Sequence, residues 1–353
     1  MKKFNFYEEL KMSTVFKWDP KNSQKFTQDY GTQVITFTPT DQQTQPYPFD
    51  KLGGANFIMN AEGETLTLQN DSNKIPIYWP EFKRNNDGTM TDSGKGMQFI
   101  ISSGTLEVSY QSEDRNNTVI YLGCAESTSF DFKDSGILNI INPGTVFFFI
   151  DYVISNELKP PKLTMSGNSK FKIIQKTKIQ PKAPAFIFLA SDISLHGSSE
   201  LTFESNKIFL GDGNINYCNI NIQDNSKVTL INDGIVPKNN IDKTKTKFNL
   251  RSGTPLLNLS SLTGINYPIN LDNIEYPKGL FNFITTEGKN KGQIIIDISN
   301  PDSKETNLSD KIFSKELIAI NGKIADKNSF DISYGVVIRQ GKQVITTTIS
   351  LRA

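Results

Sequence analysis

Short runs of alternating apolar and polar residues recur along the middle of the chain. Four segments align without gaps, and each reads apolar-x-apolar-x, then Gly or Asp, a small pair, any residue, and apolar-x-apolar: 130–140, 163–173, 193–203 and 220–230. Alternation with a period of two places the apolar side chains on one face of a strand. Each segment therefore predicts two short strands joined by a tight turn.

The turn positions and the spacing of the copies support one repeating unit. Gly136, Gly167, Gly197 and the pair Asp224-Asn225 occupy the turns, where small residues tolerate a sharp corner. Successive copies start 33, 30 and 27 residues apart. A fifth copy, 98–108, has Gln98 at an expected apolar position, and two looser copies, 57–68 and 248–259, each need one inserted residue.

Another apolar strand lies near the copies, at 119–122, 146–150, 186–189 and 208–210. One such unit cannot bury its own apolar face, whereas units stacked coil on coil form a continuous core. Three strands per coil predict an all-β fold, a right-handed parallel β-helix. The alternative is a β-sandwich, which also has short alternating strands but does not require one motif at a near-constant period.

The pattern divides the chain into three regions. We expect an N-terminal cap with irregular first coils over 1–95, β-helix repeats over 96–275, and closing coils or a cap over 276–353. Covered ends are expected because an exposed end of a solenoid is an unpaired sheet edge.

Charge and composition exclude several classes of function. The 38 Lys and Arg residues nearly balance the 37 Asp and Glu residues, so no field attracts nucleic acid. Apolar runs have only the length of a strand, so no membrane insertion is expected. One His and two distant residues, Cys124 and Cys218, predict buried free thiols, no disulfide framework, no metal site and no cofactor.

The N-terminus bears on localisation. Glu8 and Glu9 fall where the apolar stretch of a signal peptide belongs, so the sequence predicts no classical signal peptide. We expect a cell-surface protein or one secreted by a route that is independent of a signal peptide.

Stacked coils align the polar residues that point outward from successive copies. The first strands contribute Asp131, Thr164, Ser194 and Asn221, and the second strands contribute Asn139, Lys172, Thr202 and Thr229. Such ladders stabilise a sheet through cross-strand hydrogen bonds, and they also suit weak recognition of hydroxylated ligands. The candidate binding residues are Thr164, Ser194, Thr202, Asn221, Thr229 and, as a glycan-stacking platform, Trp79. Core packing is the alternative role for Trp79.

An enzyme would need clustered carboxylates on one exposed sheet. The candidate acid and base groups for that alternative are Asp131, Asp134, Asp192 and Glu200, although solvated charge is the simpler interpretation of each. His196 lies in the turn after Leu195, and no nucleophile motif accompanies it. The turn at 211–214 (GDGN) lacks the repeat and the final Glu of a calcium loop.

The additional strands are apolar on both faces, whereas a β-helix needs only its inner face apolar. The segments 146–150 and 186–189 therefore predict a covered sheet. The cover is either the protein's own loops or a second subunit in a homo-oligomer.

Two stretches near the C-terminus, 279–288 (GLFNFITTEG) and 328–345, resemble the closing segment of autotransporter-type adhesin passengers. The turns at Gly167 and Gly197 are similar to the repeated turns of those passengers. The resemblance covers roughly residues 98–350, and its motifs are shared by many β-helices. It implies a β-helix and a function in bacterial adhesion or virulence, with no ligand implied for any single residue.

These observations predict a non-enzymatic, adhesin-like or effector-like recognition protein whose partner is a glycan or a host or other cell-surface protein. The alternative is a polysaccharide-acting enzyme or a phage-tail-type receptor-binding depolymerase. A passive structural rod would share the same fold.

Overall fold

The chain folds into a stack of coils joined by parallel strand pairing. The computed structural model describes residues 14–38, 46–71, 75–81, 83–84, 90–91, 95–111, 118–141, 143–148, 159–175, 185–212, 215–287, 289–299 and 308–352. Equivalent strands of successive coils pair in parallel register. The predicted parallel β-helix is confirmed, and the β-sandwich alternative is wrong.

Two of the three faces of the stack belong to one hydrogen-bonded network, because two long strands, Phe57–Asn70 and Gln98–Tyr110, run through the corner between them. We call these faces the first and the second sheet. The other strands of the first sheet are Gln24–Thr27, Ser129–Phe132, Lys162–Met165, Asp192–Leu195, Asn219–Asp224, Lys247–Gly253, Phe281–Phe283 and Ile318–Ile320. Those of the second sheet are Gln33–Phe37, Ile137–Ile141, Lys170–Ile174, Glu200–Glu204, Lys227–Ile231, Leu256–Ser260 and Gln293–Ser299.

The third face is a separate sheet of six parallel strands. They are Ile77–Trp79, Val119–Leu122, Thr145–Phe148, Phe186–Leu189, Lys207–Leu210 and Ile235–Pro237. Short elements lie outside the three faces: 3-10 turns at Gln28–Tyr30 and Lys327–Ser329, strands Lys83–Arg84, Met90–Thr91 and Lys323–Ile324, and a helix at Leu308–Ser314.

The register of the coils follows the repeat in the sequence. Leu195 pairs with Met165 on one side and with Ile222 on the other, and all three side chains are fully buried. Inward side chains of all three sheets join one apolar core that runs along the stack. The predicted stacking of like positions is therefore confirmed.

The corner between the first and second sheets has a left-handed backbone, and glycine or aspartate occupies it in the different coils. Gly167 and Gly197 have φ of +65° and +67°, a left-handed backbone that residues with a side chain rarely adopt. A Cβ on Gly167 would lie 2.7 Å from the Cα of Asp134 in the previous coil. Close approach as well as conformation therefore favours glycine at position 167, whereas Asp134 and Asp224 adopt the left-handed backbone in other coils with φ of +47° and +61°.

At the N-terminal end, Gln24–Thr27 and Gln33–Phe37 already pair in parallel with Phe57–Asn70. Lys51, near this end of the stack, is fully buried. The Lys51 ammonium donates to the carbonyl oxygens of Asp19 (2.6 Å) and Asn22 (3.1 Å) and to Oε1 of Gln24 (2.7 Å). Burial lowers the pKa of Lys51 to about 8. This amine thus connects the segment before the first coil, and the start of its first strand, to the segment that precedes Phe57–Asn70.

At the C-terminal end, an antiparallel hairpin replaces the parallel pairing. Lys342–Leu351 pairs with the last coil strand, Gln293–Ser299, and Phe330–Arg339 pairs with Lys342–Leu351 on its other side. The hairpin thus extends the second sheet beyond the last coil. We call Phe330–Arg339 the edge strand.

Candidate ligand-binding site

A column of polar side chains follows the outer face of the first sheet. Parallel pairing aligns these residues in the order Asp131, Thr164, Ser194, Asn221, Asn249 and Asn282. The first four are the residues that the sequence predicted to align. Asp131, Thr164, Ser194 and Asn221 are half-buried, so their polar groups are accessible on a flat surface.

The C-terminal part of this column is an amide ladder that is occupied by its own hydrogen bonds. Asn249 Nδ2 donates to Oδ1 of Asn219 at 2.9 Å and of Asn221 at 3.2 Å. Asn282 Nδ2 donates to Oδ1 of Asn249 at 2.8 Å, and the backbone N–H of Gly322 donates to Asn282 Oδ1. Asn249 and Asn282 are buried. This segment stabilises the stack, and it includes the predicted binding residue Asn221, whose Oδ1 also accepts from Arg251 Nε at 3.1 Å.

A cleft of about 230 Å³ opens beside the column, and we call it the Asp192 cleft. Its described lining residues are Asp192, Tyr217, Asn219, Thr244, Lys245 and Lys247. Asp192, Asn219 and Lys247 begin the same strand in three successive coils, so parallel pairing places them in one row. The turn that precedes Lys247 supplies Thr244 and Lys245.

Asp242 holds that turn in place. Its Oδ1 accepts the N–H groups of Thr244 (2.9 Å) and Lys245 (3.2 Å) and the Thr244 hydroxyl (2.7 Å). These hydrogen bonds, with the hydroxyl's the largest contribution, lower the pKa of Asp242. Its other oxygen lies 3.7 Å from Lys245 Nζ. The carboxylate of Asp242 is thus committed to the turn.

Neutral donors hold the carboxylate of Asp192. Tyr217 donates its hydroxyl to Oδ2 at 3.3 Å, and Asn219 Nδ2 donates to Oδ1 at 3.2 Å. Burial, followed by the nearby Asp192, raises the pKa of Tyr217 to about 12, so the phenol stays protonated and remains a donor. The Lys245 ammonium lies 5.4 Å from the centre of the Tyr217 ring. The cleft therefore offers a carboxylate, hydroxyls, an amide and ammonium groups.

The four candidate acid and base residues lie at separate places. Asp131 and Asp192 both lie on the first sheet. Asp192 lies two coils further along the stack, and on its strand it precedes by two residues the position that aligns with Asp131. Asp134 occupies the corner turn with φ of +47°. Glu200 begins a strand of the second sheet, where its carboxylate lies 3.6 Å from Lys170 Nζ. The structure does not bring these four carboxylates into one site.

The remaining predicted residues lie apart from the Asp192 cleft. Thr202 and Thr229 are neighbours on the second sheet, and Thr229 is buried. His196 lies in the corner turn, where its backbone N–H donates to the backbone carbonyl of Met165. Of the turn 211–214, Asp212 pairs with Lys238 at 3.7 Å, and residues 213 and 214 lie outside the described residues.

Trp79 is fully buried, which corrects its assignment as a glycan platform. Its indole Nε1 donates to the Phe49 carbonyl at 2.8 Å, and its ring stacks on Phe99 at 4.7 Å. The pattern of its strand misled the prediction, because the neighbouring Tyr78 is the residue that points outward. The alternative interpretation of Trp79, core packing, is the one that its burial supports.

The outer face of the third sheet carries an aromatic ladder. The sequence pattern predicted only that this face is apolar. Five stacked rings follow one column, with 4.5–4.9 Å between successive ring centres: Tyr78, Tyr121, Phe147, Phe188 and Phe209. Ring faces therefore contact each other. Lys238 Nζ lies 5.0 Å from the Phe188 ring and 5.2 Å from the Phe209 ring. The faces that a sugar would stack on are largely occupied, so this ladder is structural.

Side chains of the same chain cover part of this face. Ala190 and Ile215 are buried with Phe147, Phe188 and Tyr217 packed around them. Residues 149 and 150 of the predicted apolar sheet lie outside the described residues. The homo-oligomer through 146–150 and 186–189 stays a prediction.

A larger cleft of about 450 Å³ lies near the C-terminal helix. Four of its five charged lining residues are already in ion pairs: Lys278 with Glu316, Asp272 with Lys311 at 3.1 Å, and Glu275 with Lys243 at 2.6 Å. The Asp192 cleft differs because neutral groups satisfy its carboxylate. It is therefore the stronger candidate for a ligand site.

Within the described ranges, no group of three or more His, Cys, Asp or Glu residues is arranged to hold a metal ion. Among the same residues, no helix is long and apolar enough to cross a membrane. Comparisons with protein-family models, with curated proteins and with solved structures found no match to this chain.

Proposed function

We propose that this protein is a non-catalytic recognition protein and that its ligand is a glycan, bound in the Asp192 cleft and along the adjoining polar column. The Asp192 cleft is the observation that carries the proposal. Asp192 supplies a hydrogen-bond acceptor, and Lys245 and Lys247 supply donors. Sugars carry many hydroxyls that act as both donor and acceptor, so such a mixed lining suits them.

Binding is favoured over hydrolysis by the number of carboxylates. Glycosidases use two carboxyl groups, about 5–5.5 Å apart in retaining enzymes and about 6.5–9.5 Å apart in inverting ones. Asp192 is the one carboxylate among the described lining residues of its cleft. Asp242 lies near Tyr217 but is committed to the turn by its hydrogen bonds. The proposal therefore assigns no acid–base pair to this site.

The adhesin-like or effector-like setting, with the protein at a cell surface or secreted, belongs to the same proposal. Its support is the combination of a solenoid fold with a flat polar face, which offers many weak contacts to an extended ligand. A protein partner on the same face is the competing form of the recognition function.

A glycan array followed by calorimetry with the best ligand tests the proposal. Asp192→Ala removes the central acceptor, and a hydrogen bond to a charged group is worth about 1.5–3 kcal/mol, so affinity should fall about 10- to 100-fold. Glu200→Gln is the matched control, because it removes a carboxylate from the second sheet, outside the cleft. Equal losses in both variants would contradict the assignment of the site.

Release of reducing ends from the bound glycan should be measured in parallel. We expect none. Cleavage that persists in purified protein and disappears in Asp192→Asn would favour the polysaccharide-acting enzyme and overturn the non-catalytic proposal.

A further inference from the structure

We infer that the edge strand, Phe330–Arg339, is a dimerisation surface on which a second copy of this chain pairs antiparallel, strand to strand, about Gly335. The inference does not depend on the proposed glycan site, which lies several coils away on the first sheet.

The first support is the open edge. In the part of the chain that the structure describes, the edge strand pairs with Lys342–Leu351 and with no other strand. It is ten residues long, and its register with its partner is continuous. Residues 332–338 contain neither a charge nor a proline. Proteins usually protect a free edge with short strands, bulges, charges or proline, so a long regular edge of this kind is built to pair.

The backbone shows which groups the edge presents. The N–H of Arg352 donates to the carbonyl of Ser329 at 2.9 Å, just beyond the pair Phe330 and Leu351. Hydrogen-bonded and non-hydrogen-bonded pairs alternate along antiparallel strands. Odd-numbered residues of the edge strand therefore bond to the hairpin, and Ile332, Tyr334, Val336 and Ile338 direct their N–H and C=O groups outward.

The side chains of these residues form an exposed apolar row. Tyr334, Val336 and Ile338 are 55%, 61% and 60% exposed, and they are three of the largest exposures of apolar residues in the described structure. They lie on the same face as Ile349, which is buried in the core. The edge strand therefore continues the core side of the second sheet beyond the point where the core ends.

A second copy is the expected partner because the edge strand is complementary to itself. Two edge strands that run antiparallel about Gly335 place Ile332 opposite Ile338 and Tyr334 opposite Val336. These are the residues whose backbone groups point outward, so one register satisfies the hydrogen bonds and continues the apolar row. The same register opposes no like charges, since Asp331 lies opposite Arg339; within the chain these two side chains pair with Arg352 and Asp297. Gly335 leaves the two-fold crossing free of side chains. A second copy matches this edge in apolar pattern and in backbone hydrogen bonding.

The test is the mass of the full chain in solution, measured by sedimentation over a wide range of concentration. We expect a monomer–dimer equilibrium. Val336→Pro removes an N–H that points away from the hairpin and so should keep the hairpin while it abolishes pairing. Val336→Lys should also give a monomer, by placing charge in the apolar row. Circular dichroism and an unchanged melting temperature check that both variants fold.

Val34→Lys is the matched control, because Val34 is 60% exposed on a strand at the opposite end of the stack. It should leave the dimer intact. The register has its own test: Gly335→Cys should form a disulfide-linked dimer under mild oxidation, since directly opposed Cα atoms of a non-hydrogen-bonded pair lie about 4.5 Å apart. Ser333→Cys should not, because its opposing residue is Val337. The native cysteines, Cys124 and Cys218, are buried.

A monomer at every concentration, or a dimer that both Val336 variants leave intact, would overturn the inference. A monomer whose edge instead binds a foreign peptide with alternating apolar residues would also overturn it, because the occupant would then be another protein.

Discussion

The C-terminal hairpin is anchored to the last coil by an ion pair whose strength can be measured. Asp297, on the strand Gln293–Ser299, is fully buried, and the side chain of Arg339 at the end of the edge strand is 28% exposed. Arg339 Nε lies 2.8 Å from Asp297 Oδ2. The same oxygen accepts the N–H of Ser261 at 2.8 Å, and Arg339 Nη2 donates to Ser260 Oγ at 3.2 Å. The pair therefore connects three segments.

Replacement of Arg339 by Met leaves a buried carboxylate without its cation. Removal of one partner from a buried ion pair costs about 3–5 kcal/mol, and the partial exposure of Arg339 lets water reduce this, so we expect a loss of about 2–3 kcal/mol. Asp297→Asn keeps the shape of the side chain and should cost less, about 1–2 kcal/mol, because the guanidinium can turn toward water. The double variant should reveal a coupling of about 1–2 kcal/mol, since the two groups contact each other.

Denaturant unfolding of the four proteins supplies the free energies, and hydrogen exchange should localise the loss of protection to the hairpin. Arg352→Met is the matched control. Arg352 lies 3.1 Å from Asp331, but the two side chains are 58% and 63% exposed, so its loss should cost no more than about 0.5–1 kcal/mol. The reasoning is refuted if Arg339→Met costs no more than Arg352→Met, or if the coupling is zero.

Three further outcomes are expected. Leu195→Asp should prevent folding, because an unpaired carboxylate between Met165 and Ile222 costs several kcal/mol; a soluble variant with an unchanged melting temperature would contradict the register. The folded protein binds fewer protons at Lys51 between pH 8 and 10.5, so the contribution of Lys51 to stability should rise with pH across that window. The unfolding free energy of wild type relative to Lys51→Met should grow accordingly, and a flat difference would count against the low pKa. A metal chelator should leave the melting curve unchanged, and a clear loss of stability would reveal a metal site.

The repeat in the sequence was sufficient to predict the coil and its register. Period-two alternation specifies which side chains face inward, and the glycine or aspartate at the corner follows from its left-handed backbone. Both signals lie within one unit of about 30 residues, and stacking repeats them. For that reason Met165, Leu195 and Ile222 could be aligned without coordinates, and so could the polar column from Asp131 to Asn221.

The candidate site depends on tertiary structure, because its residues come from different coils and from a loop of irregular length. Asp192 was identifiable as a carboxylate, but its contact with Tyr217 depends on how the chain between the third and first sheets folds back. The turn held by Asp242, which places Lys245 beside that ring, lies outside the aligned repeat segments. A repeat pattern carries no information about such insertions.

The alternating pattern of a strand also leaves its two faces undistinguished when both are apolar. In Ile77–Trp79 and in the third sheet generally, hydrophobicity alone could not assign Trp79 to the core and Tyr78 to the outside. The C-terminal hairpin shows the same limit. Residues 328–345 read as strands, but their antiparallel attachment to Gln293–Ser299 depends on pairing between distant segments. The coil is specified locally, because the interactions that form it act within one repeat and between neighbouring repeats. The cleft, the buried position of Trp79 and the C-terminal edge strand arise where the repeat is broken, so they depend on contacts between distant segments.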